Sequence, residues 1–311
     1  MKEIGGYFEL EKFMGSEYYS DLIALNTGRN ALAFLIRAKG IKKLYIPSFL
    51  CDSIYRVCER EGCQYQMYNI KEDFQPDFNI PLKNDEWIYI VNYYGQVNNE
   101  LELKMKFKRI IFDNVQDFFR KPQLGIDTIY SCRKYFGVPD GAYLSTNKRL
   151  KLSEDTSKDR FEHLLGRTEF SASEYHSIFN RNEDLFYYLE PKYMSMNTHN
   201  IMRGIDYKLV INKRNKNFLF IDDKLGRVNR FKPITPFGPY MYPFYTYDGM
   251  NLKKKLAEKK IYIPTLWPTA IGYGGIAKEY SMNILPLPID QRYSQKDMKI
   301  VVEEIQKCMS I

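Results

Sequence analysis

Through its first 150 residues the chain switches repeatedly between short apolar, β-rich runs and longer runs with helical spacing. "LYIPSF" (44–49), "CQYQMYNI" (63–70), "EWIYIVNYYG" (86–95), "RIIFD" (109–113), "DTIYSC" (127–132) and "AYLST" (142–146) read as strands. "DSIYRVCERE" (52–61) and "LELKMKFK" (101–108) between them read as helices. Strands joined by helical crossovers return to the same end of a sheet, so this alternation predicts an α/β fold with a mostly parallel sheet. The run at 86–95 is apolar nearly throughout, as strands covered on both faces are.

The second half has a different texture. Residues 154–220 carry helical spacing in "EDLFYYLEPKYM" and "IDYKLVINKRNKNFLFID". The stretch 230–247, "RFKPITPFGPYMYPFYTY", is rich in proline and aromatics. "DGMNLKKKLAEKK" (248–260) predicts a helix with Asp248 as N-cap, and "IYIPTLW" (261–267) a strand. A last helix starts at Ser294, whose pairing with Asp297 makes a capping-box variant, and it buries Met298, Val301, Val302 and Ile305. A length of 311 residues suits a large domain over 1–220 and a smaller C-terminal one over 221–311.

Composition narrows the function classes. The net charge of +8 comes from short basic clusters at 106–109, 212–216 and 253–255, each on or beside a helix-like run. No nucleic-acid motif accompanies them, and a basic nucleic-acid-binding protein is the weaker alternative. A positive field would draw in an anionic, nucleotide-linked substrate. The five cysteines form no CxxC pair and the three histidines stand apart, so no metal site and a reducing cytoplasm are expected. No apolar run of about 18 residues predicts a membrane span, and "MKEIGGYFELEK" lacks the apolar core of a secretory leader.

Three local features carry chemistry. Thr27 and Gly28 precede an amphipathic helix with Leu32, Leu35 and Ile36 on one face. Free N–H groups and the dipole at such a helix start suit a phosphate, with Arg29 and Asn30 as further donors. Asp113 ends an apolar strand, where open α/β sheets bind ligands, and Gln116 lies one turn on. Lys134 sits where a strand meets a loop, with Gly137 and Gly141 beyond it. Taken singly, these are a helix cap, a turn cap and a solvated lysine. Taken in order, they suit pyridoxal phosphate, which needs a phosphate anchor, an acid at its pyridine nitrogen and a Schiff-base lysine.

The chain resembles the DegT/DnrJ/EryC1/StrS family of pyridoxal-phosphate-dependent sugar aminotransferases. The matching elements run in order: "TGRNAL" (27–32), "YIPSF" (45–49), "NYYGQ" (92–96), "FDNVQ" (112–116), "KYFGVPDGAYLST" (134–146), "IYIPTLWP" (261–268) and "ILPLPIDQRYSQKDMKIVVEEI" (284–305). The resemblance implies a fold-type-I enzyme with a seven-stranded, mostly parallel sheet, a small α/β domain and two-fold dimers with shared active sites. It implies transfer of an amino group from L-glutamate to a nucleotide-linked keto-deoxysugar. Lys134 would carry the cofactor and shuttle protons, Asp113 would pair with the pyridinium and Gln116 would lie near its phenolic oxygen. Gly28, Arg29, Asn30 and Ser131 would hold the phosphate, and Asn197 and Asn200 are candidates for contacts across the dimer. The chain departs from the pattern in three places. Ser131 precedes Lys134 by three residues rather than five, Cys51 falls where an aromatic ring normally stacks on the cofactor, and Phe112 replaces an acid. The shorter length and lost aromatic leave a non-catalytic protein of the same fold as a further alternative, which the visible spectrum would distinguish.

Overall fold

The computed structural model describes residues 4–309, so the first three residues of the stretch read for a leader lie outside it. β1 (Ile23–Leu25) leads into α1 (Gly28–Lys39), β2 (Lys43–Pro47), α2 (Asp52–Arg60), β3 (Gln64–Ile70) and β4 (Pro76–Asp77). There follow β5 (Glu86–Val91), α3 (Glu100–Phe107), β6 (Ile110–Asp113), β7 (Asp127–Ser131) and β8 (Ala142–Ser145). These strands form one eight-stranded sheet in the order β1-β8-β7-β6-β5-β2-β3-β4. The five strands from β3 to β7 in that order are mutually parallel, while β8 runs antiparallel to β7, and β4 antiparallel to β3. The expected seven strands become eight through β4, whose two residues are too short to leave a periodic signal.

The register places Val91 and Asp113, the last residues of β5 and β6, beside Ile129, two residues before the end of β7. This is the edge where an open α/β sheet forms its crevice. β5 stops at Val91, short of the predicted 95, because the chain turns sharply: Tyr94 has φ 54° and Gly95 φ 74°. A side chain at Gly95 would meet Pro236 at 2.9 Å, so the turn needs glycine for both reasons. Gln96 then ties this turn to Ile234, donating to its carbonyl at 3.0 Å and accepting from its N–H at 2.8 Å.

Beyond β8 come α4 (Glu162–Glu169), α5 (His176–Tyr188), α6 (Met196–Arg203) and α7 (Tyr207–Leu225). The predicted helix over 183–194 breaks at Tyr188: Leu189 is extended ahead of Pro191, and Tyr193 forms bridges to Leu25 and Glu154. α7 starts on the core built by Tyr19, Phe118, Tyr130 and Tyr143, to which it adds Val210 and Ile211. Its later residues Phe218, Ile221 and Leu225 belong to a second core. Residue 220, the expected domain boundary, therefore lies inside one continuous helix. The second core is completed by β9 (Met241–Tyr245), α8 (Gly249–Glu258), β10 (Ile284–Pro288) and α10 (Gln295–Met309), with α9 (Gly275–Asn283) preceding β10.

β9 and β10 left no strand signal because Pro243, Pro286 and Pro288 interrupt them. Pro243 and Pro286 are register partners in an antiparallel pair that has no further strand among the described residues. Alternate residues of such a pair direct their N–H outward, so proline there gives up no ladder bond. The run 261–267, predicted as a strand, is irregular and has no strand partner among the described residues. Pro264 lacks a donor and Trp267 has φ 58°, so the segment bends toward the sheet edge instead of pairing. α10 follows the sequence: Ser294 N–H donates to Asp297 Oδ2 at 2.7 Å, and Met298, Val301, Val302 and Ile305 are buried. Among the described residues no helix is long and apolar enough to cross a membrane.

Candidate active site

A cavity of about 340 Å³ opens at the carboxyl edge of the sheet, between the strand ends, α5 and the 266–267 segment. Gly28, Arg29, Asp113, Gln116, Ser131 and Lys134 all line it. Six of the seven expected site residues, drawn from three separate sequence regions, therefore meet in one place.

The α1 end is set by Thr27, an extended N-cap whose Oγ1 accepts from Asn30 N–H at 3.1 Å. The first turn of α1 contains no acid. The Gly28 and Arg29 N–H groups thus remain open at the positive end of the dipole. Asn30 is the exception among the expected residues. Its side chain is fully buried, donates to Asn26 Oδ1 and the Glu190 carbonyl at 3.0 Å each, and accepts from Arg60 at 2.9 Å. One helical position past the capped turn, it points into the protein, where it anchors the 190 region. It does not line the cavity, so its side chain is removed from the phosphate set.

Asp113 is 4% exposed. The Tyr89 hydroxyl donates to its Oδ2 at 2.6 Å and the Val115 N–H to its Oδ1 at 2.9 Å. Burial pushes its carboxyl above the usual range, against those two bonds and the nearby Lys134. A buried acid with lone pairs left over is suited to a cationic ligand atom. Gln116 is oriented by the Tyr94 N–H, which donates to its Oε1 at 2.7 Å. Among the described residues its Nε2 is buried without a partner, a donor left over for a ligand acceptor.

β7 ends at Ser131, and a single 3-10 turn, Cys132–Lys134, carries the chain past the cavity. The three-residue spacing lets Ser131 and Lys134 line the same wall. Lys134 is exposed, and makes no ion pair among the described residues. The glycine-bearing loop after it is locked by Asp140, which is fully buried. That carboxylate accepts from Ser195 Oγ at 2.9 Å and from Thr198 Oγ1, and pairs with Arg160 at 3.3 Å. Asn197 Nδ2 donates to Ser157 Oγ, and Asn200 accepts from the Phe13 N–H and donates to the Glu11 carbonyl, all within the chain.

Sequence reasoning missed Arg133, Glu183, Tyr240 and Trp267, which also line the cavity. Glu183 binds Arg29 and Arg133 at once. Burial pushes its carboxyl up, but the two guanidiniums outweigh this and hold it below the usual range. Trp267 packs edge-on against Phe49 at 4.7 Å and Tyr93 at 5.5 Å. Ser281 Oγ bonds the carbonyls of Leu266 and Trp267 at 3.2 and 3.1 Å, fixing the strained backbone that presents this ring. Cys51 lines the wall as well, and Tyr89, Phe179, Tyr240 and Trp267 supply its aromatic surface.

Behind Gln116, burial lifts Asp117 to about 6 from 3.8, with Arg120 and Asn92 opposing. A folded-state value above the unfolded one means the ionised form costs stability. The cost is absent below the unfolded value, grows between pH 4 and 6 and is complete above it. Two pKa units correspond to about 3 kcal/mol. The stability of the wild-type chain relative to Asp117→Asn should therefore fall by about that amount from pH 3.5 to pH 7 in urea melts. A constant difference across this range would show that Asp117 does not titrate there.

No protein-family model and no curated protein sequence matches the chain. Solved structures do. An aminotransferase, TlmJ from Streptoalloteichus hindustanus, superposes with a TM-score of 0.65 at 15% identity, over 93% of this chain and 86% of that one. DesV of S. venezuelae, solved in complex with a ketimine intermediate, gives 0.62 at 16% identity over 92% and 84%. Helicobacter pylori PseC, an aminotransferase involved in the biosynthesis of pseudoaminic acid, gives 0.61 at 12% identity over 96% and 99%. At these identities the likeness concerns the fold, and the chain has the fold of the DegT/DnrJ/EryC1/StrS-type sugar aminotransferases.

Proposed function

We propose that the protein is a pyridoxal-phosphate-dependent aminotransferase that moves an amino group from L-glutamate to a nucleotide-linked keto-deoxysugar. The observation that carries this reading is one cavity in which a strand-end acid, an orphaned amide donor, an open helix start and a free lysine converge. This donor set fits the cofactor. When bound, pyridoxal phosphate supplies an electron sink for the carbon that loses a proton.

The chain's own residues divide the work. Gly28 and Arg29 N–H groups with Ser131 Oγ would hold the phosphate. Asp113, held by Tyr89 and Val115, would keep a proton on the ring nitrogen. Gln116 Nε2 would offer its spare donor to the ring. Lys134 Nζ would hold the cofactor and move the proton to and from the substrate carbon. Leu266, Trp267 and Tyr240 close the apolar side and exclude water.

Titration with pyridoxal phosphate should give a visible absorption band that L-glutamate shifts and that a nucleotide-linked keto-deoxysugar restores. A chain that takes up the cofactor but gives no shift with any amino donor is not an aminotransferase.

The working form in this reading is a homodimer. Leu165, Phe170, Phe179, Leu185 and Tyr188 leave exposed apolar surface on and between α4 and α5, near the cavity. In the aromatic stretch 230–247, Tyr242 and Phe244 are buried in the C-terminal core, while Phe237 and Tyr247 are exposed. Light scattering at micromolar concentration should report twice 37.0 kDa. A fully active species of 37.0 kDa would overturn this part.

A further inference from the structure

Two guanidinium groups line the cavity with a charge balance that does not close. Arg133 lies in the 3-10 turn between Ser131 and Lys134, so the short spacing brings an arginine to the wall together with the lysine. Its guanidinium pairs with Glu183 Oε1 and lies 4.1 Å over the Phe186 ring. Arg29 reaches the other oxygen, Glu183 Oε2, at 3.0 Å and lies 4.6 Å over the Tyr187 ring. A single segment of α5 thus supplies the carboxylate and both rings that hold two arginines beside each other. The two side chains are only 17% and 16% exposed.

One carboxylate leaves this pair with an excess positive charge. Each guanidinium has five N–H donors. Among the described residues, Arg133 donates from its side chain to Glu183 alone. Most of its donors are therefore unmet in a largely buried place, next to the open N–H groups of α1 and the Ser131 hydroxyl. A dianion with several acceptor oxygens matches that surplus, and planar guanidinium forks match phosphoryl oxygens.

We propose that Arg133 and Arg29, held side by side by Glu183, form a phosphoryl-binding pair that receives the cofactor phosphate within a single chain. This rests on the cofactor reading above. It gives the phosphate its counter-charge from α1 and the 3-10 turn, held in place by α5 of the same subunit, although the sequence resemblance implies active sites shared across a dimer.

The test measures binding of pyridoxal phosphate, pyridoxal and UDP to the full chain and its variants. Arg133→Gln should weaken pyridoxal phosphate roughly 10–100-fold, the usual worth of a charged hydrogen-bonded contact, and leave pyridoxal unchanged. Arg133→Lys, which keeps the charge but loses the fork, should fall between. Circular dichroism of each variant shows that it folds. Equal losses for both pyridoxal compounds, or no loss, overturn the proposal. So does a loss confined to UDP, which would give the arginines to the substrate's diphosphate. If the wild type binds neither pyridoxal compound, the cofactor reading itself fails, and inorganic phosphate decides the pair on its own. Thermal stabilisation by phosphate that Arg133→Gln abolishes would retain the anion site, and none in the wild type would remove it.

Discussion

Lys134→Ala is expected to lose the cofactor's visible imine band and to slow the half-reaction with L-glutamate by at least about 10⁴-fold. Among the described residues Lys134 is the one lysine lining the cavity, so no second amine there can take its place. Its side chain is exposed, and truncating it removes no core packing. The variant should therefore melt within about 0.5 kcal/mol of the wild type. Lys134→Arg is the sharper control. It keeps the positive charge near Asp113 but a guanidinium does not form the imine, so it should be as inactive as the alanine variant. Borohydride treatment of the wild type should leave a pyridoxyl group on the peptide that contains Lys134. An unchanged imine band in Lys134→Ala would end the assignment.

Asp113→Asn should slow the same half-reaction by about 10²–10⁴-fold while the fold stays intact. The substitution is isosteric. Oδ1 can still accept from the Val115 N–H, and the Tyr89 hydroxyl can turn to accept from the new amide. What is lost is the negative charge that keeps a proton on the ring nitrogen. The stability readout has a definite sign. Burial raises the Asp113 carboxyl in the folded state, so its ionised form costs stability at pH values above that raised pKa. The neutral amide carries no such cost, and the cofactor-free variant should melt no lower than the wild type at pH 7. Normal single-turnover rates in Asp113→Asn would reduce Asp113 to a cap on the turn that follows β6.

The parts of this molecule that were legible in the sequence are those governed by near neighbours. Strand β6 and helix α1 declare themselves through apolar period, and α10 through its Ser294–Asp297 pairing, because period and capping act over a single turn. The ordered features at 27–30, 113–116 and 134 pointed to one site because strand ends of a parallel sheet share an edge.

The rest depended on partners distant in the chain. The Asn30 side chain could not be excluded from the phosphate set without Glu190, 160 positions away, whose carbonyl draws it inward. Nothing local marked Arg133 as a cavity residue; Glu183, 50 positions on, pairs with it at the cavity wall. Pro243 and Pro286 argued against strands, and only their shared register in a two-stranded sheet made both harmless. The sequence by itself determined the layered α/β fold and the residue types at the sheet's carboxyl edge, since both follow from local period and from where strands end. The tertiary structure alone decided which side chains face the cavity, which are held inward and which aromatic closes the wall. Those outcomes rest on hydrogen bonds and ion pairs between segments that no local pattern connects.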